Sequence, residues 1–549
     1  MSLLSMLRDT VEHDPAGLIA IDAGLTDTRL VTRGELWERI WTLSAELSAQ
    51  GLARGDCVAV WLPNWSDSLV WQFAAATLGA HVVGVNTRYN VDEVAHLLDC
   101  ARPKILAIAH DFVGLDLDAR LRQAIKMSKA PAPSVAVAGG PHGVEPDSIA
   151  LRRYDVGAGA WTPGTPGRAP DLVPIEYGDF PDALAVAFTT SGSTGKPKLA
   201  AHTSSAVAQH ARASATAGGW TASDVTLCAL PLTGVFAYIP AMATIASGGV
   251  CLLEPVFQPE KLVADMARFG VTHVVAADDV LERLAQAWKA QPIELKRWRR
   301  WLLADFNGKS AELAAWAEQQ FGLKASGIYG SSELFALTAV WPQHVPAPHR
   351  WQGGGYPVSS RIEVRCADPE TGIVAAVGVQ GELQFRGSNV VDAYLGNAEL
   401  RRMQFTADGW FRSGDLGVVH PEGSFEFVCR IGDALRLKGF LVEPAEIEIR
   451  LAAHSAVDIA KVVGLRLDDG QTEAAAFVVL KPDADSTCEE LRDWCAAGLA
   501  RHKVPRVVHI IDAMPTTSGV NGIKIRTAEL RLWAQQREAA GRSGSKQPS

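Results

Sequence analysis

The sequence predicts an α/β protein with a large N-terminal region of parallel, doubly wound sheet carrying helices on both faces, followed by a small mobile α+β C-terminal domain. Three observations predict it. Between residues 32 and 329, short apolar runs free of breakers alternate with helix-length stretches, the rhythm of strand–helix–strand units with strands buried on both faces. The chain has 549 residues, more than one ordinary core accommodates. After about residue 430 the runs become short and charge-decorated, as in a separate unit of usual domain size.

Thr32 with Glu35 fits a capping box that opens a helix to about Gln50. A strand over 57–62 (CVAVWL), a helix near 67–78 and a strand over 81–85 follow. Asn90 with Glu93 caps a helix over 91–100, and 105–109 forms another strand. Residues 130–178 are rich in Pro, Gly and Ala and read as a long irregular connection. The rhythm resumes with a strand at 183–188 and further strands near 225–230, 250–253, 271–276, 301–303 and 325–329, separated by helices such as 279–289 and 310–320. Beyond 430 come a helix over 444–453, strands over 461–467 and 474–480, and a helix capped by Ser486 with Glu489.

Composition narrows function. Apolar residues make up 48% and charged ones 21%, the balance of a globular rather than a disordered chain. The net charge is −9, and nothing in that balance favours nucleic acid, which needs a concentrated basic face. Eight cysteines are scattered without a CxxC pair or Cys/His cluster, so neither zinc nor a disulfide framework is expected, and a cytoplasmic location is. The opening MSLLSMLRDTVEHD lacks the apolar core of a signal peptide, and the closing KQPS is not the peroxisomal tripeptide. The uncharged stretch 225–253 could span a bilayer by length, but Pro231, Gly234, Pro240, Gly248 and Gly249 cut it into strand, helix and strand lengths. Buried core is expected there.

Four stretches carry chemistry. In AFTTSGSTGKPKL (187–199), small residues after a buried strand let backbone N–H groups approach an anion closely, with hydroxyls and lysines as further donors. It is not a Walker A loop, because Gly192 and Gly195 stand too close and Pro197 follows Lys196. Alone, it is more simply a flexible linker. GIYGSSE (327–333) sits just past a strand, the rim where parallel α/β sheets bind ligands, and offers an aromatic face, a small turn, a hydroxyl and a carboxylate. GWFRSGDLG (409–417) presents Asp415 in a turn, able to accept two hydroxyl donors, and TTSGVNGIKIR (516–526) delivers Lys524 on a Gly-bearing loop. Singly, Glu333 reads as a capping or surface carboxylate, Asp415 as a turn residue and Lys524 as a solvated lysine.

Together and in this order, the four stretches resemble the acyl-adenylate-forming superfamily of acyl-CoA synthetases, luciferases and peptide-synthetase adenylation domains. The resemblance runs from ARGDCVAVWLPN (53–64) to Arg526 and is most like a synthetase for fatty or other hydrophobic acids. It implies ATP, Mg²⁺ and coenzyme A. It implies that Thr190, Ser191, Gly192, Ser193, Thr194, Gly195 and Lys198 line the triphosphate, and that Tyr329 stacks on adenine with Asn307 and Gly330 beside it. Ser332 would contact the α-phosphate, Glu333 would hold Mg²⁺, and Asp415 would bind the ribose hydroxyls with Arg430 nearby. Lys524 would bridge the substrate carboxylate and the α-phosphate, a role suited to a compact point charge on a flexible stem. RIGDALRLKGFLVEPAEIE (430–448) resembles the family's hinge, which divides the chain into 1–430, a hinge at 431–433 and a swivelling domain at 434–549. That swivel would withdraw the lysine and complete the CoA tunnel, with Lys438 and Gly439 serving thioester formation; Gly432 can absorb the φ/ψ change. The adenine segment departs from the family's Gly-Gly-Ala, reading Ala304, Asp305, Phe306, Asn307. The lysine segment reads GVNGIKI, and Leu199 stands where Gly is common.

Amino-acid-activating members of the family carry an Asp in the segment matching PLTGVFAY (231–238), which here has no charge. A substrate ammonium would be costly to bury there. Gly234 stands where many aromatic-acid ligases have His, and with Phe236, Ala237, Tyr238 and Gly327 it implies a roomy apolar pocket for a hydrophobic acid. Two other readings are an acyl-AMP ligase delivering to a carrier protein, and a non-catalytic nucleotide-binding protein on the same fold. The presence of Lys198, Glu333, Asp415 and Lys524 together argues against the second. No nucleic-acid partner and no transmembrane segment are expected, and homodimerisation is left open.

Overall fold

The computed structural model describes residues 1–25, 27–109, 112–138, 152–155, 160–162, 178–190, 197–431, 435–437, 440–442, 444–467, 472–501, 503–519 and 522–544. Two large sheets organise the first 430 residues. In one, six parallel strands run in the order Lys324–Tyr329, Arg300–Ala304, His273–Ala277, Val225–Cys228, Val250–Leu253, Leu18–Ala23. In the other, Leu184–Thr190, His81–Gly84, Cys57–Trp61, Ile105–Ala109 and Ser134–Ala138 are parallel neighbours. The helices that touch both layers are apolar nearly all round. Val235 to Ile245 is buried without a break, as a helix packed on every side requires.

The expected rhythm is present, with five differences. The region 130–178 contributes Ser134–Ala138 and the short strands Arg152–Asp155 and Ala160–Thr162 to the second sheet. Beyond Tyr329 the first sheet continues as antiparallel strands, including Gly354–Pro357, Glu363–Ala367, Gly381–Arg386, Phe411–Val419 and Phe425–Arg430. Pro240 lies inside the Val235–Ala246 helix rather than ending it; one missing N–H bond is outweighed by burial of the whole segment. At Thr32 only half the capping box forms, since the Thr32 hydroxyl accepts from the Glu35 N–H while the Glu35 carboxylate pairs with Arg29. The boxes at Asn90 with Glu93 and, one residue later than expected, at Thr487 with Glu490 are complete. No helix among the described residues is long and apolar enough to cross a membrane.

From Leu435 onward a separate sheet forms around the hairpin of Val457–Arg466 and Thr472–Leu480. Its alternating side chains feed two small cores. Ala474, Ala476 and Val478 pack with Ile447 and Leu491 of the helices Pro444–Ala452 and Cys488–Gly498, whereas Ala475 and Phe477 pack with Leu530 and Ala534 of the Thr527–Gly544 helix.

His81 is buried at the start of its strand, and neither ring nitrogen has a partner. Burial lowers its pKa to about 4. A histidine depressed in the folded state stabilises above its unfolded pKa, and that contribution is lost as pH falls from about 6.5 towards 4. His81→Leu is therefore expected to shrink the loss of stability between pH 7 and pH 5 by about 2 kcal/mol. Chemical denaturation at the two pH values checks this, and an unchanged difference contradicts it.

Candidate active site

The site forms where the ends of the two sheets approach each other. Strand Leu184–Thr190 turns into strand Lys198–Thr203, with Thr190 opposite Lys198. Ser191, Gly192, Ser193, Thr194 and Gly195 lie between them, outside the described residues. The GIYGSSE stretch leaves the end of strand Lys324–Tyr329 and is tied to this pair, because the Ser332 hydroxyl donates to the Thr189 carbonyl at 3.2 Å. The Thr189 hydroxyl in turn lies 2.7 Å from the Tyr89 hydroxyl. The Glu333 carbonyl accepts from the Val391 N–H at 2.7 Å, which fixes the backbone that carries its carboxylate. Desolvation raises the Glu333 pKa, opposed by the Arg430 and Lys198 charges and the Ser331 hydroxyl. A half-buried carboxylate near the Arg430 and Lys198 charges has the donor chemistry to hold a nucleotide-bound magnesium ion, which needs only one or two carboxylates beside phosphate oxygens. Among the described residues no group of three His, Cys, Asp or Glu forms a protein-only cage.

Asp415 lies on strand Phe411–Val419, not in the expected turn, directly opposite Arg430 on the neighbouring strand. Register explains the ion pair between Arg430 Nε and Asp415 Oδ1 at 2.9 Å. The Tyr329 hydroxyl donates to Asp415 Oδ2 at 2.6 Å. Burial raises the pKa of Asp415, Arg430 and Tyr329 pull it back, and Glu333 and Glu382 push it further up. The Tyr329 ring is only 6% exposed. It stacks on Phe385 at 5.4 Å and meets the edge of Phe425 at 5.2 Å, so one face is already taken. Gly330 lies at a close crossing, where a Cβ would come within 2.5 Å of Ala336 Cα. Gly327 is likewise pressed against the backbone of Gln352.

Sequence reasoning missed the organiser of the expected adenine segment, 304–307. Asp278, fully buried as the first residue of helix Asp278–Ala290, accepts backbone N–H bonds from Phe306 at 3.2 Å, Asn307 at 2.9 Å and Lys309 at 3.1 Å. Burial and the adjacent Asp305 raise its pKa to about 6. The Phe306 ring meets Phe236 at 6.3 Å, so this segment also touches the helix of the expected acid pocket. Phe236, Ala237 and Tyr238 are all buried on that helix, with Gly234 at its N-cap. Asp278→Ala is expected to raise the KM for ATP about 10-fold or more, since bonds to a charged acceptor contribute about 1.5–3 kcal/mol. Steady-state kinetics at varied ATP and at varied acid checks it; an unchanged KM for ATP contradicts it.

Lys524 lies on the hairpin of Thr516–Gly519 and Gly522–Ile525, opposite Thr517. The second strand of that hairpin lies against the Asp278–Ala290 helix, so the lysine's strand and the expected adenine segment meet at one element. Lys309 adds a second link between the two parts of the chain, pairing with Glu282 at 2.8 Å and with Asp458 at 3.6 Å. Lys438, Gly439 and Gly432 lie outside the described residues.

Comparison with known proteins gives the family and the fold. The AMP-binding enzyme family matches residues 7–395, and the AMP-binding enzyme C-terminal domain matches residues 446–519. 4-Coumarate–CoA ligase 2 of Oryza sativa subsp. japonica is 28% identical over 540 residues, covering 94% of this chain and 89% of that one. 2-Methylpropanoate–CoA ligase CCL4 of Humulus lupulus is 28% identical over 515 residues, covering 89% of this chain and 88% of its own. In fold, the ATP-bound crystal structure of MatB from Rhodopseudomonas palustris superposes with a TM-score of 0.80 at 24% identity, covering 98% of this chain and all of that one. The chain therefore belongs to the AMP-binding enzyme family, and is an AMP-forming acid–thiol ligase.

Proposed function

We propose that the protein joins a hydrophobic, fatty-type carboxylic acid to ATP as acyl-AMP with release of pyrophosphate, and then passes the acyl group to coenzyme A. The observation that carries this reading is the meeting of Thr190, Lys198, Ser332 and Glu333 beside the Tyr329, Asp415 and Arg430 cluster. A carboxylate attacking a polyphosphate brings like charges together, so catalysis needs positive charge fixed where negative charge develops. Lys198 and the loop before it hold the phosphates, and Lys524 neutralises the attacking carboxylate and the α-phosphate. Asp415 orients the ribose, while Tyr329 and Asn307 flank the base. Glu333 would hold a magnesium ion, which would supply Lewis-acid neutralisation of phosphate charge. The chain divides at 431–433, and the swivel of 434–549 brings Lys438 and Gly439 to the thioester step.

The acid is hydrophobic because Pro231 to Tyr238 carries no charge and its helix is buried. The relatives are named for acids as different as coumarate and 2-methylpropanoate, so the class rests on the uncharged segment 231–238 and not on likeness. A panel of fatty, aromatic and amino acids, assayed for pyrophosphate and acyl-CoA with coenzyme A or a carrier protein as acceptor, tests the reading. Preference for charged acids, or transfer only to the carrier, contradicts it. Gly234→His is expected to raise discrimination against longer acids by about tenfold or more, with the KM for ATP nearly unchanged. An unaltered chain-length profile would show that position 234 does not line the pocket.

A further inference from the structure

Two residues after Glu333 the backbone enters the left-handed region. Phe335, Ala336 and Leu337 have φ of +68°, +38° and +42°. None is glycine, and L-residues resist this conformation, so three in succession persist only where their surroundings over-determine them.

Two imidazoles supply the restraint. His202 Nε2 donates to the Ser332 carbonyl at 2.7 Å, and His210 Nε2 donates to the Ala336 carbonyl at 2.7 Å. The Phe335 ring sits against both, with centroids 3.8 Å from His202 and 5.5 Å from His210. Its other neighbour is Phe188 at 6.1 Å, which meets Tyr238 of the expected acid-pocket helix at 5.2 Å. Both histidines are buried. Burial lowers their pKa values to about 3 for His202 and about 4 for His210. Both rings are therefore neutral at working pH, and each is held in the Nε2–H tautomer by its carbonyl. His202 shares strand Lys198–Thr203 with Lys198, on the same face by the two-residue alternation. One strand thus presents the phosphate-side lysine and the clamp on Ser332.

We propose that His202 and His210 are positioning residues, which clamp the Ser332 carbonyl before the left-handed turn and the Ala336 carbonyl within it, and so aim the Ser332 hydroxyl and the Glu333 carboxylate. The inference rests on the reading of Ser332 and Glu333 given above.

The test compares full-length wild type, His202→Leu and His202→Gln in acid-dependent ATP–pyrophosphate exchange, with thermal unfolding of each alongside. His202→Leu should lower kcat by about 10–100-fold with the KM for the acid within about twofold, because a small displacement of reacting groups is costly to rate. His202→Gln retains an N–H donor and should return to within about threefold of wild type. If His202→Leu does not fold, His202→Asn, whose amide is too short to reach the carbonyl, replaces it. An unslowed His202→Leu, or a His202→Gln no better than His202→Leu at equal thermal stability, overturns the inference alone. Wild-type protein that exchanges with no acid overturns the functional reading, and the inference with it.

Discussion

Lys524→Ala is expected to slow acid-dependent ATP–pyrophosphate exchange by about 10²–10³-fold, or roughly 3–4 kcal/mol of transition-state stabilisation. In the proposed scheme the charge removed is the one between two anions, and its sequence neighbours, Ile523 and Ile525, carry no charge. The same variant, given preformed acyl-adenylate and coenzyme A, should form thioester at close to the wild-type rate, since the lysine serves only the first half-reaction. Single-turnover kinetics of each half-reaction decides it. Equal slowing of both steps would mean that Lys524 is structural or is misplaced in the scheme.

Glu333→Gln is expected to have an effect of similar size for a different reason. The substitution keeps shape and hydrogen-bonding capacity but deletes the negative charge that a nucleotide-bound cation requires. Exchange should fall by about 10²-fold or more, and the magnesium concentration for half-maximal activity should rise. A readout independent of turnover is the magnesium dependence of ATP binding followed by calorimetry. A variant with wild-type magnesium dependence would remove Glu333 from the cation site.

Most parallel strands of both sheets were legible because they are continuous apolar runs bounded by breakers, a signal that depends on a few adjacent residues, whereas Leu18–Ala23 and Ser134–Ala138, the latter inside a stretch rich in Pro, Gly and Ala, were not. The antiparallel half between 354 and 430 was not, since strands such as Glu363–Ala367 are exposed at one end and mixed in character. Asp415 looked like a turn residue because Ser413 and Gly414 precede it, yet pairing with Arg430 makes it strand. The residues of the four motifs were legible as chemistry. Those that position them were not. Asp278 reaches its segment across about thirty residues, and His202 meets Ser332 across 130. A buried histidine within AAHT or an aspartate opening a helix carries no local mark of such a partner. Neither the bond from Tyr329 to Asp415 nor the packing of Tyr329 on Phe385 could be foreseen from a lone aromatic at a strand end.

The central claim is that this enzyme activates the acid on ATP before any thiol takes part. Isotope exchange from pyrophosphate into ATP, measured with a panel of hydrophobic acids, tests it most directly. The account predicts exchange that requires the acid and magnesium, proceeds without coenzyme A, and is lost in Lys524→Ala. Exchange that requires coenzyme A, or that proceeds equally well without any acid, would contradict it.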